Sequence, residues 1–317
     1  MLGANLVKRL VQNREDVTVL VRKTSSHPFL DNLKAKKVYG DLCDFDYVKG
    51  GMEDSDYVYH LAGFISYSKK ERKKMFDVNV LGTRNVMKAA FDLKIKKVVH
   101  TSSTAAIGIS ESRKNILNEK NEFMQKFKNI GYMYSKKLAE KEVIKYNKKG
   151  LNVCMVNPST IIGAGDEKMN SGSLFKNIKN NRIKAAPPGG NGIVAVSDVV
   201  DGLILTMNKG RSGQRYILNT QNIEYIDIFN IIAKEVRSKK INHKLPKIAY
   251  YPLVCISTLM EKIDSHSKLT SEVLFFSFRY RYFDSSKAKK ELGWAPKQDL
   301  NAAVKEAVVF YEKRGLI

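Results

Sequence analysis

The sequence predicts an α/β protein built on a doubly wound parallel sheet, with a smaller, mainly helical lobe towards its C-terminus. Three observations carry that expectation. Short β-branched runs alternate with longer amphipathic segments through the first half of the chain. The runs lack polar alternation, as strands do when helices cover both sheet faces. After Gly163 the rhythm changes to longer loops and aromatic-rich helices. At 317 residues and 43% hydrophobic content, the chain can bury one large α/β core or two unequal lobes sharing a cleft.

The pattern from Met1 is already that of an amphipathic helix, with Leu6 to Asn13 its clearest stretch, so nothing at the start reads as a secretory signal. Val17 to Val21 is the first strand-like run. Lys37 to Tyr39, Tyr57 to Leu61, Lys97 to Thr101 and Val153 to Val156 follow, with helical patterns at Asn79 to Leu93 and Tyr132 to Tyr146 between them. Strand-helix-strand repetition places a ligand crevice at the carboxyl ends of the strands. Beyond it, Gln214 to Leu218 reads as a strand and Ile226 to Val236 as a helix. The expected division is a sheet domain over 1–162, with 193–222 crossing back to it, and a substrate-binding lobe over 163–192 and 223–317.

Composition narrows the function classes. The formal charge is +23, with 55 basic against 32 acidic side chains. The lysines are scattered over nearly every element rather than gathered on one, which argues against specific nucleic-acid binding. No apolar run reaches the roughly 18 residues of a membrane span. Ile248 to Met260, broken by Pro252 and flanked by lysines, reads as a core or interfacial helix. Cys43, Cys154 and Cys255 fit neither a disulfide framework nor a metal-ligand spacing, so a reducing cytoplasm is the expected setting and no metal site is expected.

The segment from Tyr132 to Glu140 puts Tyr132 and Lys136 four residues apart, on one face of a helix. A phenol titrates near 10, and a nearby ammonium favours phenolate and makes the group useful for proton exchange. Tyr134 cannot serve, because Leu138 stands four residues on. Upstream, Lys97 to Ser103 is a strand ending in hydroxyl side chains. A hydroxyl there faces the crevice and can hydrogen-bond a carbonyl oxygen. Ser102 and Ser103 compete for that position.

These residues resemble the extended short-chain dehydrogenase/reductases, the NAD-dependent epimerase/dehydratase family, and the reading most similar is to dihydroflavonol reductases. The likeness extends through Gly40-Asp41-Leu42, Tyr59-His-Leu61-Ala62-Gly63, Asn79-Val-Leu-Gly82-Thr83, Val156-Asn-Pro158-Ser-Thr160 and Asp284 to Pro296. The resemblance implies a Rossmann domain and a catalytic set of Ser103, Tyr132 and Lys136. Ser103 is chosen because the family's hydroxyl lies five residues before the glycine matched by Gly108. Cofactor contacts implied are Gly3, Asp41, Leu42, Leu61, Ala62, Gly63, Pro158 and Thr160, with Tyr132 and Lys136 at the nicotinamide ribose. Arg22, with Lys23 beside it, follows the strand where a dinucleotide is selected and favours NADP over NAD.

Two further readings stand beside a carbonyl reductase. One is a nucleotide-sugar epimerase or dehydratase with bound NAD, and the other is a dinucleotide-binding protein without turnover. The expected partner is therefore a small carbonyl compound or a nucleotide sugar, and a homodimer through two helices of the Rossmann domain fits the family. The family opens with a strand and a Gly-x-x-Gly-x-x-Gly turn, of which only Gly3 has a match. The first strand is thus expected to be missing. Either the true start lies upstream, or the protein is truncated and should fold weakly and bind cofactor poorly. His60, His100, Trp294, Asp198 and the Pro187 to Gly190 turn read as structural.

Overall fold

A computed structural model describes every residue except 23–27, 111, 168, 170–171 and 264–268. Strands β1 (Thr18–Val21) and β2 (Lys36–Tyr39) pair in parallel. Strands β3 (Tyr57–His60), β4 (Lys97–Thr101), β5 (Val153–Pro158) and, from further along the chain, β8 (Arg215–Leu218) form a second all-parallel group in that order. The doubly wound parallel arrangement therefore holds, in two groups. Among the described residues no strand joins β1 to β3 by hydrogen bonds.

The valine-rich strands show why polar alternation is absent. Every residue of β4 and β5 is buried. Successive side chains point to opposite faces, and both faces are covered. Val98, Val153 and Met155 enter one core with Met87, Ala90, Val143 and Tyr146. Val99 and Val156 enter another with Leu6, Val199, Val200, Leu203 and Trp294. The first face is covered by α2 (Gly82–Asp92) and α3 (Gly131–Asn147); the second by α1 (Leu2–Gln12) and α4 (Val196–Lys209). Arg9 of α1 pairs with Asp201 of α4 at 2.8 Å. The helix expected from Asn79 instead starts in a wide π turn over Asp77–Leu81, which leads into α2.

A second, smaller sheet was not foreseen. Its central strand β7 (Gly190–Ala195) pairs with β6 (Thr160–Ile162) and β10 (Tyr280–Arg281) in parallel and with β9 (Gln221–Glu224) antiparallel. Only Ser159 separates β5 from β6, so the carboxyl edge of the main sheet runs directly into the second one. The turn at Pro187 to Gly190 needs its glycines. A Cβ on Gly189 would lie 2.3 Å from the Arg279 carbonyl oxygen. Two helices complete the region that concerns the site, α5 (Tyr250–Ile263) and α6 (Ser271–Ser277). Trp294 is buried, and its indole N–H donates to the Asp198 carbonyl at 2.8 Å. The Asp198 carboxylate accepts from the backbone N–H groups of Lys297 and Gln298, tying the C-terminal loop to α4.

Candidate active site

The carboxyl ends of β3, β4 and β5 converge with the first turns of α3. At the end of β4, Ser102 is buried and donates to Glu140 at 2.7 Å. That hydroxyl is committed, which leaves Ser103 as the available one. Ser103 begins a 3-10 turn and accepts from the Ala105 N–H at 3.1 Å. Its carbonyl accepts from the Asn157 side chain at 2.9 Å, and the same amide donates to Glu140 at 2.7 Å. Arg215 completes the network by pairing with Glu140 at 3.3 Å. The serine at the strand end is thus held by a buried carboxylate and amide that belong to α3 and β5.

Helix α3 has no side-chain cap of its own, because Ile130 occupies the N-cap. Glu272 of α6 supplies one from a distance, accepting from the Gly131 N–H at 2.8 Å. A carboxylate at a helix start satisfies orphan donors and complements the dipole. Tyr132 and Lys136 follow, one turn apart and both buried. The Lys136 ammonium donates to the Thr101 carbonyl at 3.2 Å, which places it at the end of β4. It also reaches the end of β3, since a Cβ on Gly63 would lie 3.2 Å from its Nζ. Asn79, in the π turn, clamps the Phe64 backbone by accepting from its N–H at 2.8 Å and donating to its carbonyl at 2.9 Å. It also donates to Ser135 of α3 at 3.0 Å.

The structure therefore brings Ser103, Tyr132, Lys136 and Gly63 together. Ala62 and Gly63 are exposed, Leu61 packs against the core, and Pro158 is buried at the end of β5. Thr160 accepts from Asn191 of β7 at 2.6 Å. Arg22, Asp41 and Leu42 lie instead beside β1 and β2. Arg22 is exposed at the end of β1, Asp41 accepts from the Cys43 N–H at 2.8 Å, and Leu42 fills the space above Gly82. Gly3 sits in the first turn of α1, where Asn5 reaches the Ala164 carbonyl at 3.1 Å. Lys23 lies outside the described residues.

Burial dominates the electrostatics. It pushes the Tyr132 phenol up to about 12, with Tyr67 adding to the rise; a hydrogen bond from Ser103 and the Arg281 guanidinium pull the other way. Burial also lowers Lys136 to about 8, against the field of Glu140. The expectation that Lys136 acidifies the phenol is therefore not met in the protein alone. The cation acting on Tyr132 is Arg281, which sequence reading missed because it comes from a short strand far along the chain. Its guanidinium lies 4.9 Å over the Phe276 ring and donates to the Tyr225 hydroxyl at 2.9 Å.

His60 hydrogen-bonds Thr83 at 3.0 Å, and burial with nearby Lys136 drops it to about 3. His100 packs against His60, and both of its ring nitrogens are buried without a hydrogen-bond partner among the described residues. Burial holds it neutral.

One pH dependence follows. An unfolded Lys136 keeps its proton up to about 10.5, whereas the folded group loses it near 8. Between these values the unfolded chain binds the extra proton, so this residue makes stability rise with pH, by on the order of 3 kcal/mol across the window. Urea denaturation at pH 7.5 and pH 10 should show wild type gaining on Lys136→Met. A pH-independent difference between the two proteins would contradict the depressed lysine.

A parallel sheet with a phenol, an amine and a hydroxyl gathered at its carboxyl edge defines an α/β enzyme of the nucleotide-cofactor class. Residues 1–219 match the NAD dependent epimerase/dehydratase family, and the chain belongs to that family. It is 31% identical to sterol demethylase protein B of Methylococcus capsulatus, covering 100% of this chain and 97% of that protein. It is 30% identical to a Synechocystis protein provisionally named dihydroflavonol 4-reductase, over 100% of this chain and 93% of that one. Among solved structures, gox2253 superposes with a TM-score of 0.88 at 30% identity, covering 100% of this chain and 96% of that one.

Proposed function

We propose that this protein is an NAD(P)-dependent oxidoreductase that interconverts a ketone and an alcohol on an apolar molecule, with NADP(H) as the favoured dinucleotide. The observation that carries the reading is the convergence of Ser103, Tyr132 and Lys136 on one strand edge beside an aromatic wall. That wall includes Phe64, Tyr67 and Phe276 packed around Tyr132. The relative from Methylococcus capsulatus is named for a sterol, which supports an apolar substrate.

The residues fit a dinucleotide. The exposed backbone at Ala62 and Gly63 carries no side chain that would bar close approach, and Lys136 stands beside it. In this reading Gly3 in the first turn of α1 meets the pyrophosphate, Asp41 and Leu42 the adenosine, and Arg22 a 2′-phosphate. Leu61, Ala62, Gly63, Pro158 and Thr160 line the path to the nicotinamide, with Lys136 on its ribose. A bound nicotinamide supplies hydride exchange with the carbonyl carbon. The chain does the rest. Ser103 donates to the carbonyl oxygen and orients it. Tyr132, pushed to about 12 by burial, holds its proton at neutral pH and can deliver it to that oxygen as reduction proceeds. In the reverse direction Ser103 and Arg281 favour the phenolate that accepts a proton.

Residues 1–162 with 193–222 would serve the dinucleotide, and 163–192 with 223–317 the substrate. The three free cysteines suit a reducing cytoplasm, and α2 and α3, which expose Phe91 and Ile144, suit a homodimer. The deciding experiment supplies NADPH or NADH with ketosteroids, flavanones, and UDP- or dTDP-sugars. We expect cofactor oxidation with the apolar ketones, faster with NADPH, and a smaller NADPH preference in Arg22→Ala. UDP-sugar turnover without net cofactor oxidation would replace this reading with an epimerase, and cofactor binding with no turnover would replace it with a sensor.

A further inference from the structure

Helix α5 turns a large apolar face outward. Its inward side is mixed, with Leu253 and Val254 half-buried beside two polar groups. Ser257 is fully buried, and Glu261 accepts from the Ser271 N–H at 2.7 Å while pairing with Lys69 at 3.5 Å. Its outward side is apolar: Ile256 is 50% exposed, Leu259 60%, Met260 42% and Ile263 88%. At about 100° per residue, Cys255, Leu259, Pro252, Ile263, Ile256 and Met260 fill a continuous arc of about 140° with no charged residue in it. Tyr251 in the first turn, 68% exposed, and Ile248 just before the helix, 73% exposed, add to the outward apolar surface. A helix of a water-facing protein normally turns such a stripe to the core. Contiguous exposed apolar surface of this kind marks an interaction site.

The chemistry of the occupant follows from the surroundings. The segment 237–247 leading into the helix contains Arg237, Lys239, Lys240, Lys244 and Lys247 and no acidic residue. All five are exposed, and among the described residues only Lys244 of them pairs with a carboxylate, Glu224. The whole chain carries +23. An exposed apolar arc that follows directly on a lysine-rich segment complements a surface with an apolar interior and an anionic rim. That is the pattern of a helix lying in a membrane interface. At 14 residues α5 is too short to cross a bilayer. Its position also has a use. It leads into α6, whose Phe275 and Phe276 belong to the aromatic cluster around Tyr132.

We propose that α5 docks this protein on an anionic phospholipid surface, lying in the interface plane with Ile256, Leu259, Met260 and Ile263 among the acyl chains. Docking sets the aromatic wall of the active site next to the phase in which apolar ketones and alcohols dissolve.

The test uses the full chain and two vesicle types, phosphatidylcholine alone and phosphatidylcholine with phosphatidylserine. Wild type should sediment with the mixed vesicles at least tenfold more than with phosphatidylcholine alone, and less as salt rises. A triple variant, Ile256→Ser, Leu259→Ser and Ile263→Ser, should lose that binding at least tenfold. Its circular dichroism and melting temperature should not fall, because these side chains face outward. A Lys239→Glu, Lys240→Glu variant should lose the preference for phosphatidylserine. Turnover of a small water-soluble ketone without vesicles should be the same in all of them, so docking and oxidoreductase activity are judged separately. Three results overturn the proposal: wild type staying in the supernatant, the triple variant binding as wild type does, or the triple variant converting a dimer to a monomer with vesicle binding unchanged. The last would assign the arc to a second copy of this chain.

Discussion

Tyr132→Phe is expected to lower kcat by between about a hundredfold and ten-thousandfold while leaving the protein folded and able to bind dinucleotide. The ring of Tyr132 packs with Met75, Ala105, Met133 and Phe276 in one buried cluster, and phenylalanine keeps all of that surface. Only the hydroxyl is lost, with its hydrogen bond to Ser103. Losing one such bond costs about 1 kcal/mol of stability. Losing a positioned proton donor costs the full factor that general acid catalysis supplies. The measurement pairs a kcat determination at saturating NADPH with a cofactor titration. Turnover equal to wild type would remove Tyr132 from proton transfer. An equal loss of cofactor affinity and rate would instead make it a packing residue of the binding site.

Glu140→Ala is expected to be the most destabilising single change near the site, at about 3–5 kcal/mol. The carboxylate is 1% exposed and meets three partners at once: Ser102 and Asn157 at 2.7 Å each, and Arg215 at 3.3 Å. Removing it strands a largely buried guanidinium. Arg215 cannot swing away, because it also donates to the carbonyls of Glu119 and Asn121. Domains have only about 5–15 kcal/mol of stability to lose. Chemical denaturation measures the effect, and adding Arg215→Met should restore part of it, since the stranded charge goes too. A loss below about 1 kcal/mol would mean that the network relaxes around the gap. The variant that does fold should also be slow, because Asn157 positions the Ser103 backbone through this carboxylate.

The main strands were legible because their signal is local. Val17 to Val21 and Lys97 to Thr101 are β-branched runs, and the structure places strands at Thr18–Val21 and Lys97–Thr101. The helix over Tyr132 to Tyr146 appears as Gly131–Asn147 for the same reason. What escaped depends on partners distant in sequence. Gly190–Ala195 carries two glycines and reads as a poor strand, yet it becomes the centre of a sheet because β6, β9 and β10 all pair with it. Motif spacing pointed to Ser103 over Ser102, but the physical reason, Glu140 already occupying Ser102, exists only in three dimensions. Motif spacing also put an amine near the phenol without revealing that both would be dehydrated, which reverses the expected effect on the phenol. Arg281 and Glu272 carry no motif of their own, and the motif that begins at Asn79 did not reveal its clamp on Phe64. Each reaches the site from a different part of the chain.

The carboxylate that caps the first turn of α3 lies 141 residues after the glycine it holds. When the ribosome has released Tyr132 and Lys136, the group that steadies their helix has not yet been made. The first turn of that helix is therefore completed only late in synthesis. Partial chains left by interrupted translation or by proteolysis of the tail would carry Ser103, with Tyr132 and Lys136 on a helix whose first turn lacks this acceptor.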